Sequence, residues 1–170
     1  EIDSTPAIGV YEEYFGKSAQ ELKKDLKHIS IFYPIGIYIP GEDEYLLRNI
    51  LSIEDNGSVV FQGEVPQESL VRLMIGTKES CLRATREAAE EVKKTQKALS
   101  FAFIFNSVSR YTLLGRDAGT EIEIVKEVLG PHVPLAGFYT YGEQAPLQAL
   151  NYLGAPYFHN QTITILGITG

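Results

Sequence analysis

A single cysteine, Cys81, in 170 residues leaves no internal disulfide to form. Such usage fits a reducing compartment, so a cytoplasmic protein is expected. Positive charge is also scarce: 15 Lys and Arg stand against 22 Asp and Glu, a formal net charge of −7. No overall basic field is left to neutralise a nucleic-acid backbone or an anionic membrane surface, and neither partner is expected. The densest basic group, Lys23, Lys24 and Lys27, is interleaved with Glu21 and Asp25 and reads as a solvated helix face. No apolar stretch reaches transmembrane length, and the amino terminus lacks the basic segment and apolar core of a signal peptide. His28, His132 and His159 are dispersed, with no Cys or His pair at zinc spacing. There is no G-x-S-x-G elbow, no Walker loop and no G-x-G-x-x-G after a strand. Neither a metal nor a cofactor is expected.

What is present is the composition of a folded domain: 44% hydrophobic and 22% charged residues. The length is that of one domain spanning 1–170, large enough for its own core. The first residue is Glu1 rather than methionine, from which a part of a longer protein is expected.

Thr5-Pro6 can open a helix through Phe15, stopped by Gly16. Ser18-Ala-Gln-Glu21 is a capping box for a second helix, which should end near His28. ISIFYPIGIYI (29–39) is β-branched and aromatic and reads as strand, with Pro34 and Gly36 demanding a bulge or an edge. EYLLRNILSIE (44–54) followed by Asp55-Asn-Gly57 and SVVFQGEV reads as a hairpin, and 69–76 as a further strand completing a meander. Residues 77–96 change period, with Cys81, Ala84, Ala88 and Val92 on one helical stripe. On that stripe Cys81 reads as a small core hydrophobe rather than a reactive thiol. ALSFAFIF (98–105) is a continuous apolar run, the expected central strand buried on both faces. Thr120-Glu-Ile-Glu123 is another capping box, opening a helix with Ile122, Val125 and Val128 inward and Gly130-Pro131 as its stop. PLAGFY and TITILGIT supply the last strands.

Polar side chains concentrate in three segments next to predicted strands: Asn106-Ser-Val-Ser-Arg110, Tyr139-Thr-Tyr-Gly-Glu143 and Tyr157-Phe-His-Asn160. If those strands are neighbours, the segments converge at one rim of the sheet, where loops carry ligands. Arg110 can clamp a carboxylate with two parallel hydrogen bonds; the alternative is a salt bridge to Glu143 or to a helix carboxylate. Glu143 behind a glycine can be desolvated enough to act as an acid or base, with His159 as its partner. His159 and Asn160 can equally be a hydrogen-bonded rim residue and a turn cap.

Taken in order, FNSVSR, PLAGFYTYGEQAP and YFHNQTITIL resemble the carboxy-terminal half of FIST proteins, an intracellular signal-transduction sensor family. That family has F-x-C-x-x-R, then G-F-Y-x-x-G-E-I-A-P, then F-H-N-x-T. Here Ser107 stands at the cysteine and Gln144 at the isoleucine. The resemblance implies a sensory domain for a small, amino-acid-like ligand, normally preceded by a related amino-terminal half and linked to a signalling output domain. Ser107, Arg110, Tyr139, Tyr141, Gly142, Glu143, His159 and Asn160 are the expected ligand contacts, with no catalytic residue.

The expected fold is α+β, an antiparallel or mixed sheet with helices on at least one face; the alternative is an αββα layered sandwich. A metabolite's carboxylate would meet Arg110 and its amine Glu143, with Tyr139 and Tyr141 as walls. Two other readings stay open: a hydrolase or isomerase using Glu143 and His159, and a protein-interaction module.

Overall fold

The computed structural model describes residues 1–42, 44–95, 98–147 and 156–170. Helix α1 (Ile8–Phe15) stops at Gly16, whose φ of 61° is left-handed and whose N–H returns to the Glu12 carbonyl. The Ser18 capping box forms: the Ser18 N–H and hydroxyl both donate to Glu21 Oε2, at 2.9 and 2.7 Å, and open α2 (Ala19–Lys24). The chain then breaks at Asp25 and restarts as α3 (Leu26–Phe32), where a strand was expected from Ile29. Burial overrides propensity here. Ile29, Ser30 and Ile31 all face inward on α3, and the Ser30 hydroxyl donates to the Ile50 carbonyl at 2.7 Å. Pro34, which has no N–H to continue the helix, separates α3 from β1 (Ile35–Tyr38).

The expected meander does not form. Segment 44–54 splits at Asn49 into β2 (Tyr45–Arg48) and β3 (Ile50–Ile53), which belong to different sheets. The Asn49 N–H donates to the Asn160 side-chain oxygen at 3.3 Å instead of to a neighbouring strand. β3 makes the predicted hairpin with β4 (Val59–Phe61), while β5 (Val71–Leu73) pairs with β1, giving the antiparallel order β2-β1-β5. Tyr11, Leu22, Ile29, Ile35 and Ile50 form the core between these strands and α1–α3.

The second sheet has the order β10-β6-β7. β6 (Phe101–Ser107) is central, parallel to β7 (Leu135–Thr140) and antiparallel to β10 (Ile163–Ile168). One face is covered by α4 (Lys78–Thr95) and α6 (Gly119–Leu129), which enclose Ala89, Ala102, Ile104 and Val125. The expected end of α4 at Gln96 lies outside the described residues. β6 was expected to be buried on both faces, but its burial alternates: Phe101, Phe103 and Phe105 line the other face beside Phe138 (59% exposed) and Leu166 (54% exposed). α5 (Val108–Leu114) forms directly after β6, where the sequence reads as a loop. The second capping box does not form: α6 begins at Gly119, so Thr120 is already inside the helix and no side chain caps it, while Glu121 is buried. A short antiparallel pair, β8 (Glu143–Ala145) and β9 (Tyr157–His159), sets Glu143 opposite His159. The fold is thus α+β with antiparallel and mixed sheets.

Candidate functional site

The C-terminal ends of the parallel strands β6 and β7 lie side by side, Asn106 opposite Tyr139 and Ser107 opposite Thr140. The segments 106–110 and 139–143 therefore converge, and the pairing of β8 with β9 brings 157–160 against the second of them. From this rim the chain carries Arg110 back under α4 and α6. Its guanidinium, 3% exposed, donates through Nε (3.0 Å) and Nη2 (2.5 Å) to Glu121 Oε1, and through Nη2 to the Cys81 carbonyl and the Thr85 hydroxyl, each at 2.7 Å. Glu121 is fully buried; it also accepts from the Thr85 hydroxyl at 2.8 Å and from Asn106 Nδ2 at 2.6 Å. Of the two alternatives for Arg110, its contacts are those of a salt bridge to a helix carboxylate. Beside it, burial pushes the Cys81 thiol up.

Glu143, 3% exposed, is held differently. Oε1 accepts a short hydrogen bond from the Thr140 hydroxyl and Oε2 one of 2.8 Å from the Thr162 hydroxyl. Burial raises its carboxyl above the ordinary range, opposed by hydrogen bonds from Thr140 and Thr162 and by the charge of Arg110 acting through space. The carboxyl lines a recess of about 190 Å³ together with Phe105, Thr140, Gly142, Gln144 and Thr164. Glycine at 142 is required by close approach: a Cβ there would run into the Phe158 ring. At 137, likewise, a Cβ would strike the Ile104 carbonyl on the neighbouring strand.

The tyrosines flank this rim. Tyr139 is 42% exposed and meets Tyr111 edge-on at 4.9 Å between centroids, whereas Tyr141 is 78% exposed and its carbonyl accepts from Gln62 Nε2. Ser107 caps α5: its Oγ accepts from the Ser109 N–H at 3.3 Å, and its own N–H donates to the Thr162 carbonyl at 3.0 Å.

His159 and Asn160 belong to a seam that ties the two halves of the molecule together. Arg48 Nη1 donates to the Phe158 carbonyl at 2.9 Å, the Asn49 N–H meets Asn160 Oδ1, and Gln161 Nε2 donates to the Ile31 carbonyl at 2.5 Å. His159 Nε2 hydrogen-bonds the Ala145 carbonyl at 2.8 Å; burial lowers the imidazole's proton affinity more than that bond raises it.

The recess thus gathers Gly142 and Glu143, with Tyr139, Tyr141 and His159 on adjoining elements. Arg110, Ser107 and Asn160 are committed to neighbouring protein groups. Three participants escaped the sequence reading. Thr140 lay within the polar 139–143 segment without a role, Thr162 was the first residue of a strand, and Glu121 stood unassigned between Thr120 and Glu123 of the expected box. One signal pointed to Glu121: a carboxylate inside an otherwise apolar helical stripe calls for a buried cation. Among the described residues no group of three or more His, Cys, Asp or Glu side chains is placed to hold a metal ion. No helix of the described residues is long and apolar enough to cross a membrane.

No curated protein and no solved structure matches the chain. The FIST C domain family matches residues 7–146, which take in the F-x-x-x-x-R and G-F-Y-x-x-G-E segments but stop before β9 and β10. That match covers well over half of the 170 residues and reaches from α1 to the end of β8. The chain therefore belongs to the FIST C domain family, a sensor-type domain of signal transduction.

Proposed function

We propose that this domain detects a small, amino-acid-like metabolite in the cytoplasm, and that the ligand's amine or other hydrogen-bond donor enters the recess over Glu143. The observation that carries this reading is the Glu143 carboxyl itself: buried, raised by that burial, and steadied by neutral hydroxyls rather than by a directly bonded cation. A carboxyl so placed gains from an incoming cation, which would offset its desolvation and draw off its proton. The recess, about 190 Å³, suits a headgroup of a few heavy atoms rather than a whole drug-sized molecule. Phe105 and Thr164 form the walls, Gln144 is an amide at the mouth, and Tyr139 and Tyr141 stand on the adjoining rim outside the recess. Arg110 acts as a positioning residue, its charge reaching Glu143 through space. Ser107, His159 and Asn160 hold the strands that frame the recess.

Binding would favour one arrangement of the 140–143 segment, and the shift in its population is the signal passed to a FIST amino-terminal half and an output domain. A thermal-shift screen against amino acids, simple amines and small carboxylates tests this, since a ligand selective for the native state raises the melting temperature. A saturable shift that disappears in Glu143→Gln is expected, with no product formed. Turnover of the bound compound, lost in Glu143→Gln and His159→Gln alike, would favour the hydrolase or isomerase reading that the cross-strand pairing of these two residues also permits.

A further inference from the structure

Helices α4 and α6 cover one face of the sheet β10-β6-β7, and the other face is open. There Phe101, Phe103 and Phe105 of β6 run as a ladder with ring centroids 4.8 and 6.2 Å apart, and Phe138 meets Phe105 edge-on at 5.3 Å. Phe138, Leu166 and Ile168 on this face are 59%, 54% and 42% exposed, and the strand registers place no charged side chain on it. A contiguous apolar surface of this kind marks a place of binding. It runs into the recess over Glu143. Phe105 and Thr164, opposite each other on β6 and β10, line that recess, and the adjacent row on the same face is Phe103 with Leu166. Two strand positions separate the rows, about 7 Å.

The charges around the recess sort the ligands it could take. Among the described residues Glu143 is the one charged side chain that lines it. Each Glu143 oxygen accepts from one threonine hydroxyl and keeps a further acceptor site for an N–H. No cation lines the recess to meet a carboxylate. Arg110, which the sequence offered for that role, is turned instead to Glu121, the Thr85 hydroxyl and the Cys81 carbonyl. A carboxylate brought to the mouth would lose water without gaining a partner, and would stand beside a second carboxyl. We infer that the recess takes a primary amine without a carboxylate, carrying an aromatic or branched aliphatic body that lies over Phe105, Phe138 and Leu166. In chemical terms this is the amine that decarboxylation leaves from an aromatic or branched-chain amino acid. The inference rests on the Glu143 reading and narrows it: the recess holds the ammonium, and the open face selects the body.

The probe is 2-phenylethylamine, whose ring lies at the right distance from its nitrogen to reach the Phe103–Leu166 row. It is titrated into the intact chain and followed by proton–nitrogen correlation NMR, with ethylamine (no body) and phenylalanine (carboxylate added) as comparisons. The expected result is saturable movement of the Gly142 and Thr164 backbone amides and the Gln144 side-chain amide, joined by the Phe138 and Leu166 amides only when the ring is present. Ethylamine should bind about tenfold more weakly for want of buried apolar area, and phenylalanine about tenfold more weakly for its unpaired carboxylate. Leu166→Ser and Phe138→Ser, both at exposed side chains, should each weaken 2-phenylethylamine about threefold and leave ethylamine unchanged. Ethylamine or phenylalanine binding as tightly as 2-phenylethylamine, yet still lost in Glu143→Gln, would overturn the inference and leave the recess reading standing. So would 2-phenylethylamine binding that both serine variants leave intact. Binding that survives Glu143→Gln, or no saturation by any of the three compounds, would overturn both.

Discussion

Two carboxylates, Glu121 on α6 and Glu143 on β8, are enclosed to nearly the same extent, 0% and 3% exposed, yet their surroundings are opposite in kind. Glu121 meets a guanidinium, a hydroxyl and an amide, so its charge is compensated inside the protein. Glu143 meets two threonine hydroxyls, with the nearest cation felt only through space, and it opens on a recess. The difference separates structure from function. A buried charge whose partners are all supplied by the fold serves the fold, whereas one left half-compensated beside a cavity is available to an outside partner.

The comparison breaks most visibly at Arg110. Arg110→Ala strands Glu121 without its cation, and a loss of about 3–5 kcal/mol is expected, read as a lower urea midpoint. If the variant unfolds like the parent, Glu121 is not the structural member of the pair. Next in size is Gly142→Val, which drives a side chain into the Phe158 ring and should cost about 1–3 kcal/mol while distorting the recess. An unchanged melting temperature would mean that Phe158 moves aside freely.

Smaller effects come from titration. The folded carboxyl of Glu143 holds its proton more tightly than its ordinary value of 4.5. Its contribution to stability is therefore complete below about that pH and is lost as pH rises through the raised folded value. Glu143→Gln should remove this slope, so that the variant gains on the parent as pH rises, by about 1.4 kcal/mol for every tenfold by which folding tightens the carboxyl's hold on its proton. His159 works in the other direction. Its folded form is lowered from 6.5, so its contribution is present above that pH and fades as pH falls through the lowered value. His159→Gln should flatten the acid side of a melting-temperature profile. Should both variants keep the parent's profile, the electrostatic contrast drawn for the Glu143 region fails.

Much of this was legible in the chain before its folding was known. The glycine stops, the Ser18 box, the 55–57 hairpin and the strand–helix alternation after residue 77 are local signals, and local forces decided them. Three things were not legible, each for a tertiary reason. Ile29–Phe32 joined a helix because all three of Ile29, Ser30 and Ile31 could be buried there. Segment 44–54 divided because the N–H of Asn49 is claimed by Asn160, 111 residues away. Glu121, which the expected box of Thr120 and Glu123 leaves without a role, turned inward to Arg110, a choice that depends on where α4, α5 and β6 meet. Of the candidate site, Gly142 and Glu143 could be picked out because a glycine–carboxylate pair after a strand is conspicuous. The threonines that hold Glu143 could not, since nothing in a strand's pattern says which hydroxyl will face a carboxylate.

The most direct test is a thermal-shift and calorimetric comparison of the parent and Glu143→Gln with whichever amine or amino acid gives the largest stabilisation of the parent. The recess account predicts saturable binding in the parent and at least a tenfold loss in Glu143→Gln. Equal affinity in the parent and Glu143→Gln would contradict it.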